Sequence, residues 1–283
     1  MKDLGYYNGK FGPIAEMTVP MNDRVCYFGD GIYEATCVRN HSIFLLDEHV
    51  DRFYRSAEGV KIDIPYTKDE LKAILRDMVA KVDSPDQTCY WQITRGTAPR
   101  KHCFPGKDVK ANLWITLTPA NRRDTKKPMA ITETEDLRFF MCNVKTLNLL
   151  LNVLANEKAH SSGCEECVFH RGDRVTEGSH SNISIIKNGV LQTAPLDNLI
   201  LPGIARHHLL MAAEKCGIPT LEKPFTLAEL ADADEVIITS STLFAVRANE
   251  FCGKPVGGKA PELFEQLRST VIAEFEAYTD AGK

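Results

Sequence analysis

Residues 119–128, Pro-Ala-Asn-Arg-Arg-Asp-Thr-Lys-Lys-Pro, constrain the fold more than any other stretch of this chain. The run is polar, carries no apolar periodicity and is bounded by prolines, so neither a helix nor a central strand passes through it. For 283 residues, one large domain or two ordinary ones are expected. A linker at this place selects two. The expected boundaries are an N-terminal domain over 1–120, a linker over 121–130 and a C-terminal domain over 131–283.

Strand and helix alternate on both sides of the linker, which predicts a mixed α/β fold. Residues 32–38 alternate as a strand, with Tyr33, Ala35 and Cys37 on one face and Ile32, Glu34, Thr36 and Val38 on the other. Asn40-His41 turns the chain, and 43–46 returns as the partner strand. Asp47 then caps a helix whose buried stripe is Val50, Phe53, Ala57 and Val60. A second helix runs over 67–82 from Thr67, and 89–94 and 113–118 read as strands. Beyond the linker, 147–160, 204–216 and 261–278 read as helices. Residues 168–170, 183–186, 190–193 and 236–239 read as strands.

Charge and cysteine content narrow the class. With 34 basic and 38 acidic side chains the net charge is −4, without the basic footprint of a duplex nucleic-acid binder. No run approaches the ~18 apolar residues of a membrane span, and residues 1–12 lack the architecture of a signal peptide. Nine cysteines without a regular framework suit free thiols in a reducing cytoplasm.

Five places carry candidate chemistry. Lys145 precedes the apolar run Leu147-Asn-Leu-Leu-Leu151. It is either a lysine snorkelling at an element end or an amine whose desolvation frees its lone pair for Schiff-base chemistry. Thr176-Glu177-Gly178-Ser179-His180-Ser181-Asn182 is a polar loop between strands. Leu201-Pro202-Gly203-Ile204-Ala205-Arg206 opens a helix, where free N–H groups hold phosphate, and Thr239-Ser240-Ser241-Thr242 adds hydroxyls. Arg52 is either a surface partner of Glu48 or a phosphate clamp. Residues 94–102, Thr-Arg-Gly-Thr-Ala-Pro-Arg-Lys-His, form a cationic loop suited to a carboxylate, or simply exposed. His160, Cys164, Cys167 and His170 match no zinc spacing, so no metal is expected.

The ordered combination of these motifs resembles the class-IV pyridoxal-phosphate aminotransferases. The carrying residues are Lys145, then Glu177-Gly178-Ser179-x-Ser181-Asn182, then Leu201-Pro202-Gly203-Ile204-x-Arg206, then the Ser240-Ser241 loop. Within that class the chain is most similar to D-amino-acid aminotransferases. That likeness rests on Asp23-Arg24, on Phe28-Gly29-Asp30-Gly31-Ile32-Tyr33-Glu34, on Glu48-His49-Val50-Asp51-Arg52 and on the 95–102 loop.

The resemblance implies a two-domain enzyme with pyridoxal 5'-phosphate in the cleft between domains. Lys145 would be the Schiff-base lysine and proton shuttle. Glu177 would face the pyridine nitrogen, with Ser179 and Asn182 beside the cofactor. Arg52, the backbone of Ile204 and Ala205, and Ser240 and Ser241 would hold the phosphate. Tyr33, Arg100 and His102 would bind the substrate α-carboxylate, the last two from a neighbouring subunit of a homodimer. The implied reaction is ping-pong transfer of an amino group from a D-amino acid such as D-alanine to a 2-oxo acid such as 2-oxoglutarate. Alternatives on the same fold are a branched-chain L-amino-acid aminotransferase and aminodeoxychorismate lyase. Ser184, Ala205, His180 and Leu243-Phe244 depart from the class pattern.

Overall fold

The computed structural model describes residues 1–281. The chain divides into two compact units. One comprises Met1–Asn121, Val144–Asn148 and the chain from Glu276 on; the other comprises Arg122–Asn143 and Leu149–Phe275.

The first unit is built on a six-stranded antiparallel sheet. Its strands are β1 (Leu4–Tyr7), β2 (Lys10–Gly12), β3 (Gly31–Arg39), β4 (Ser42–Ile43), β5 (Gln87–Thr94) and β6 (Asn112–Pro119), in the spatial order β2-β1-β6-β5-β3-β4. Helices α1 (Arg24–Phe28), α2 (Leu46–Gly59) and α3 (Lys68–Ala80) complete it. Phe53, Leu71, Leu75 and Trp91 are fully enclosed in its core. Thr67 and Glu70 form a reciprocal capping box at the start of α3. The return strand after the turn is only two residues long. Leu45 takes a left-handed conformation (φ 51°) and α2 starts at once, so Asp47 lies in its first turn rather than capping it.

The second unit holds a mixed sheet of β7 (Met129–Glu135), β8 (Glu166–Arg171), β9 (Arg174–Gly178), β10 (Asn182–Lys187), β11 (Val190–Thr193), β12 (Thr220–Glu222), β13 (Glu235–Thr239), β14 (Val246–Phe251) and β15 (Lys254–Pro255). The order is β12-β11-β10-β13-β14-β7-β8-β9, with β15 paired to β14. Its helices are α4 (Leu150–Ser161), α5 (Ile204–Lys215) and α6 (Leu227–Ala231), and α7 (Pro261–Asp280) ends the chain's helices. Thr176, Glu177 and Gly178 belong to β9, so only Ser179–Ser181 turn the chain into β10. Helix α4 buries Ala155 and Ala159 against Cys167 and Phe169. Its Leu150, Val153 and Leu154 share one face at i, i+3, i+4 spacing and are 72%, 60% and 57% exposed. No helix among the described residues is long and apolar enough to cross a membrane.

Candidate active site

Lys145 lies in the first unit, on a short segment tied edge-on to β3. Tyr33 N donates to Lys145 O at 3.0 Å, Leu147 N to Gly31 O at 3.0 Å, and Lys145 N to Ser56 Oγ of α2 at 3.2 Å. The approach requires glycine at position 31. A Cβ there would meet Leu147 Cδ1 and Ile93 O, both at 2.6 Å. The half-buried Lys145 amine sits 4.2 Å from the Tyr33 ring centroid. It makes no ion pair among the described residues. Tyr33 is stacked in turn on Tyr90, with centroids 5.6 Å apart.

Behind Tyr33, β3 turns Glu34 into the core, where it meets α2. Glu34 is 0% exposed. It accepts from Arg52 Nε (2.7 Å, to Oε1) and Nη2 (2.8 Å, to Oε2), and His49 Nδ1 lies 2.7 Å from Oε2. Burial alone would raise the Glu34 pKa, but Arg52 and then His49 outweigh it and hold the carboxyl well below the usual range. Burial pushes His49 down, and the charges of Arg52 and Lys145 add to that against the pull of Glu34. Arg52 is therefore a buried member of a polar cluster, not a surface residue. Nε and Nη2 serve Glu34, a bidentate grip that fixes the plane of the guanidinium.

Arg100 and His102 are exposed, and both rest on Phe28. Arg100 Cζ lies 5.4 Å from its ring centroid, and the His102 ring lies 5.3 Å from it. Among the described residues no hydrogen bond, ion pair or ring contact joins either to Tyr33 or Lys145.

In the second unit, Glu177 is buried on β9. Its Oε1 accepts from Arg138 Nη1 at 2.6 Å; its Oε2 accepts from Asn182 Nδ2 at 3.1 Å and Leu201 N at 2.9 Å. Arg138 is itself gripped by Asp136, through Nε at 2.9 Å and Nη2 at 3.0 Å. Burial pushes the Glu177 carboxyl up to about 7, against the lowering pull of Arg138 and the Leu201 N–H. Ser179 and Ser181 turn away from Glu177 to Glu166, which is 0% exposed. Glu166 accepts from Ser179 N at 2.9 Å, Ser179 Oγ at 2.5 Å and Ser181 Oγ at 2.6 Å, so it shapes the turn between Glu177 and Asn182. His180 Nδ1, on a half-exposed ring, lies 3.2 Å from the same carboxylate.

Ile204 and Ala205 occupy the first turn of α5, after Gly203. A Cβ on Gly203 would overlap Asn182 Oδ1 at 1.9 Å, which ties the helix start to the Glu177 strand pair. Arg206 points inward, donating to Ala194 O at 2.8 Å and Glu222 at 2.6 Å. Ser240 Oγ accepts from Leu243 N at 3.2 Å and Ser241 follows it in the same turn. The departure at Phe244 packs the core: its ring lies 4.6 Å from Phe275. Ser184 buries a hydroxyl that has no hydrogen-bond partner among the described residues.

Sequence reasoning overlooked Glu34, His49, Asp136, Arg138 and Glu166. Two carried a readable signal: Glu34 alternates with Ile32 and Thr36, and His49 stands three residues before the candidate Arg52 on a helix. Arg138 stands among exposed Leu137, Phe139 and Phe140 and carried none.

The Glu177 shift has a thermodynamic consequence for the cofactor-free protein. Below pH 4.5 both folded and unfolded chains hold the proton. Between 4.5 and about 7 only the unfolded chain releases it, so this group's contribution to stability falls as pH rises, then levels. The difference corresponds to about 3 kcal/mol. Denaturant melts of apoprotein at pH 4.5, 5.5 and 7 should show that decline in excess of Glu177→Gln; parallel curves would refute it.

A two-sheet chain with a lysine on one unit and a buried, arginine-paired carboxylate on the other has the fold of known transaminases. It matches the solved branched-chain aminotransferase of Escherichia coli with a TM-score of 0.86 at 20% identity, over 99% of this chain and 96% of that one. It matches that of Thermoproteus uzoniensis with a TM-score of 0.85 at 25% identity, over 97% and 96%. The profile of the family Amino-transferase class IV matches residues 31–251. A D-alanine aminotransferase of Listeria monocytogenes is 41% identical over 92% of this chain and 91% of its own length; one of Staphylococcus haemolyticus is 37% identical over 93% and 94%. The chain belongs to the class-IV aminotransferase family and is a pyridoxal-phosphate-dependent aminotransferase. The donor set fits that cofactor: an amine without a counter-ion among the described residues, a buried carboxylate, and bare N–H groups at a helix start.

Proposed function

We propose that this enzyme moves the amino group of D-amino acids such as D-alanine to a 2-oxo acid such as 2-oxoglutarate by ping-pong kinetics. The observation that carries the reading is the exposed Arg100–His102 pair gathered on Phe28, a guanidinium and an imidazole suited to one carboxylate. The 41% identity to a D-alanine aminotransferase supports it. The cofactor, when bound, supplies an electron sink for the pair left at the substrate Cα. Lys145 would hold the cofactor through its amine, and its Nζ would take the Cα proton and return it. Glu177, paired with Arg138, would serve the ring nitrogen, with Ser179 and Asn182 beside the cofactor. Arg52, the N–H groups of Ile204 and Ala205, and the hydroxyls of Ser240 and Ser241 hold the phosphate. Tyr33, Arg100 and His102 bind the α-carboxylate, and the face they pin decides which Cα–H meets Lys145.

The enzyme is further inferred to be a homodimer in which Arg100 and His102 serve the neighbouring subunit's site. The exposed face of Leu150, Val153 and Leu154 supports this, since burying each is worth about 1.5–3 kcal/mol. A coupled assay of D-alanine with 2-oxoglutarate, run beside L-leucine and L-valine, tests the reaction. The D-substrate should be turned over at least about tenfold more efficiently, a difference of ~1.4 kcal/mol in transition-state binding. Turnover of the L-substrates alone would overturn the proposal, and sedimentation as a single chain would overturn the dimer.

A further inference from the structure

The loop that carries Arg100 and His102 is held from beneath by side chains whose role in the reaction is unassigned. Arg24, at the start of α1, is 3% exposed. Its Nη1 donates to Lys101 O at 2.7 Å and Cys103 O at 3.3 Å, the carbonyls on either side of His102. Its Nε donates to Asp30 Oδ2 at 2.7 Å. Asp30 also accepts from Arg95 Nε at 3.0 Å, and Arg95 is anchored on Val60 O at 2.7 Å and Lys61 O at 2.5 Å. Phe28, at the other end of α1, offers the ring on which Arg24, Arg100 and His102 all rest. Gly29, left-handed at φ 60°, turns the chain so that Phe28 and Asp30 serve this one structure.

We propose that Arg24, Asp30 and Phe28 are positioning residues that set Arg100 and His102 in their substrate-binding arrangement before the carboxylate arrives. An exposed loop free to wander would lose conformational entropy on each binding event, and a loop already held avoids that cost. Arginine suits the position because its planar fork reaches two carbonyls and a carboxylate at once, which a single ammonium does not. Phe28 gives the two side chains a common floor without competing for the substrate's charge. This inference rests on the proposed role of Arg100 and His102.

The test uses the holoenzyme, with D-alanine as substrate and propionate, a carboxylate lacking the amine, as competitive inhibitor. Arg24→Gln should raise both the KM for D-alanine and the inhibition constant of propionate by about tenfold, with kcat changed less than about threefold. Arg24→Lys should recover little of either. Phe28→Leu, which removes no charge and leaves Asp30 paired with both arginines, should raise both constants by about threefold or more. It decides the matter if Arg24→Gln does not fold. The affinity of the apoprotein for the cofactor should stay unchanged in both variants. Unchanged KM and inhibition constant in Phe28→Leu and in any folded Arg24→Gln would overturn the proposal. If Arg100→Ala and His102→Ala raise KM while these do not, the positioning role alone fails. If Arg100→Ala and His102→Ala change nothing, the carboxylate site itself is elsewhere.

Discussion

Lys145→Ala is expected to lower transamination by about 10³-fold or more, because one amine is assigned two duties. The first is the covalent hold on the cofactor; the second is carriage of the Cα proton, a general acid–base role worth about 10²–10⁴-fold by itself. The geometry makes substitution by another group ineffective. The Lys145 main chain is fixed by hydrogen bonds to Tyr33 and Ser56, so the side chain starts from one place, above the Tyr33 ring. The variant should show no linkage that borohydride reduces, whereas the native protein should lose its yellow colour on reduction. Stability should change by less than about 1 kcal/mol, since the side chain is half-buried and pairs with no charge among the described residues. A variant retaining a tenth of native activity would assign the proton transfer to another group.

The elements most legible in the sequence are those whose apolar period coincides with their buried face. Helices α2 and α3 are of this kind. Helix α4 inverts the rule: Leu150, Val153 and Leu154 look like a core stripe, yet they face outward and only two alanines are buried. Strand β7, Met-Ala-Ile-Thr-Glu-Thr-Glu, lies inside a sheet but reads as polar, so periodicity passed over it. The same limit explains which site residues were visible. Lys145, Glu177 and Arg52 stand out because each belongs to a motif of ordered spacing. Arg138 reaches Glu177 and Glu166 reaches Ser179 and Ser181 across many residues, and nothing in local spacing marks a carboxylate as the anchor of a distant turn. Polar residues on a buried face, such as Glu34 and His49, read as solvent-facing when only apolar residues are counted. Their pairing emerges only when β3 and α2 pack.

That buried pair carries the second large effect, this time on stability. Glu34→Gln should destabilise the enzyme by about 3–5 kcal/mol, because Arg52 would remain enclosed without the carboxylate that grips it bidentately. In a chain of this size that corresponds to a fall in Tm on the order of 10 °C. Arg52→Met should cost a similar amount, leaving Glu34 with only His49. The double variant Glu34→Leu with Arg52→Met removes both charges and replaces them with apolar side chains of similar volume. It should be more stable than either single variant by about 2 kcal/mol or more, since a buried ion pair contributes less to net stability than the penalty of breaking it. Its affinity for the cofactor should nevertheless stay low, because the proposed phosphate contact of Arg52 is gone. Recovery of stability without recovery of cofactor binding would separate the two duties of Arg52. If the double variant instead equalled the sum of the singles, the ion pair would be energetically uncoupled and the cluster would owe its stability to packing alone.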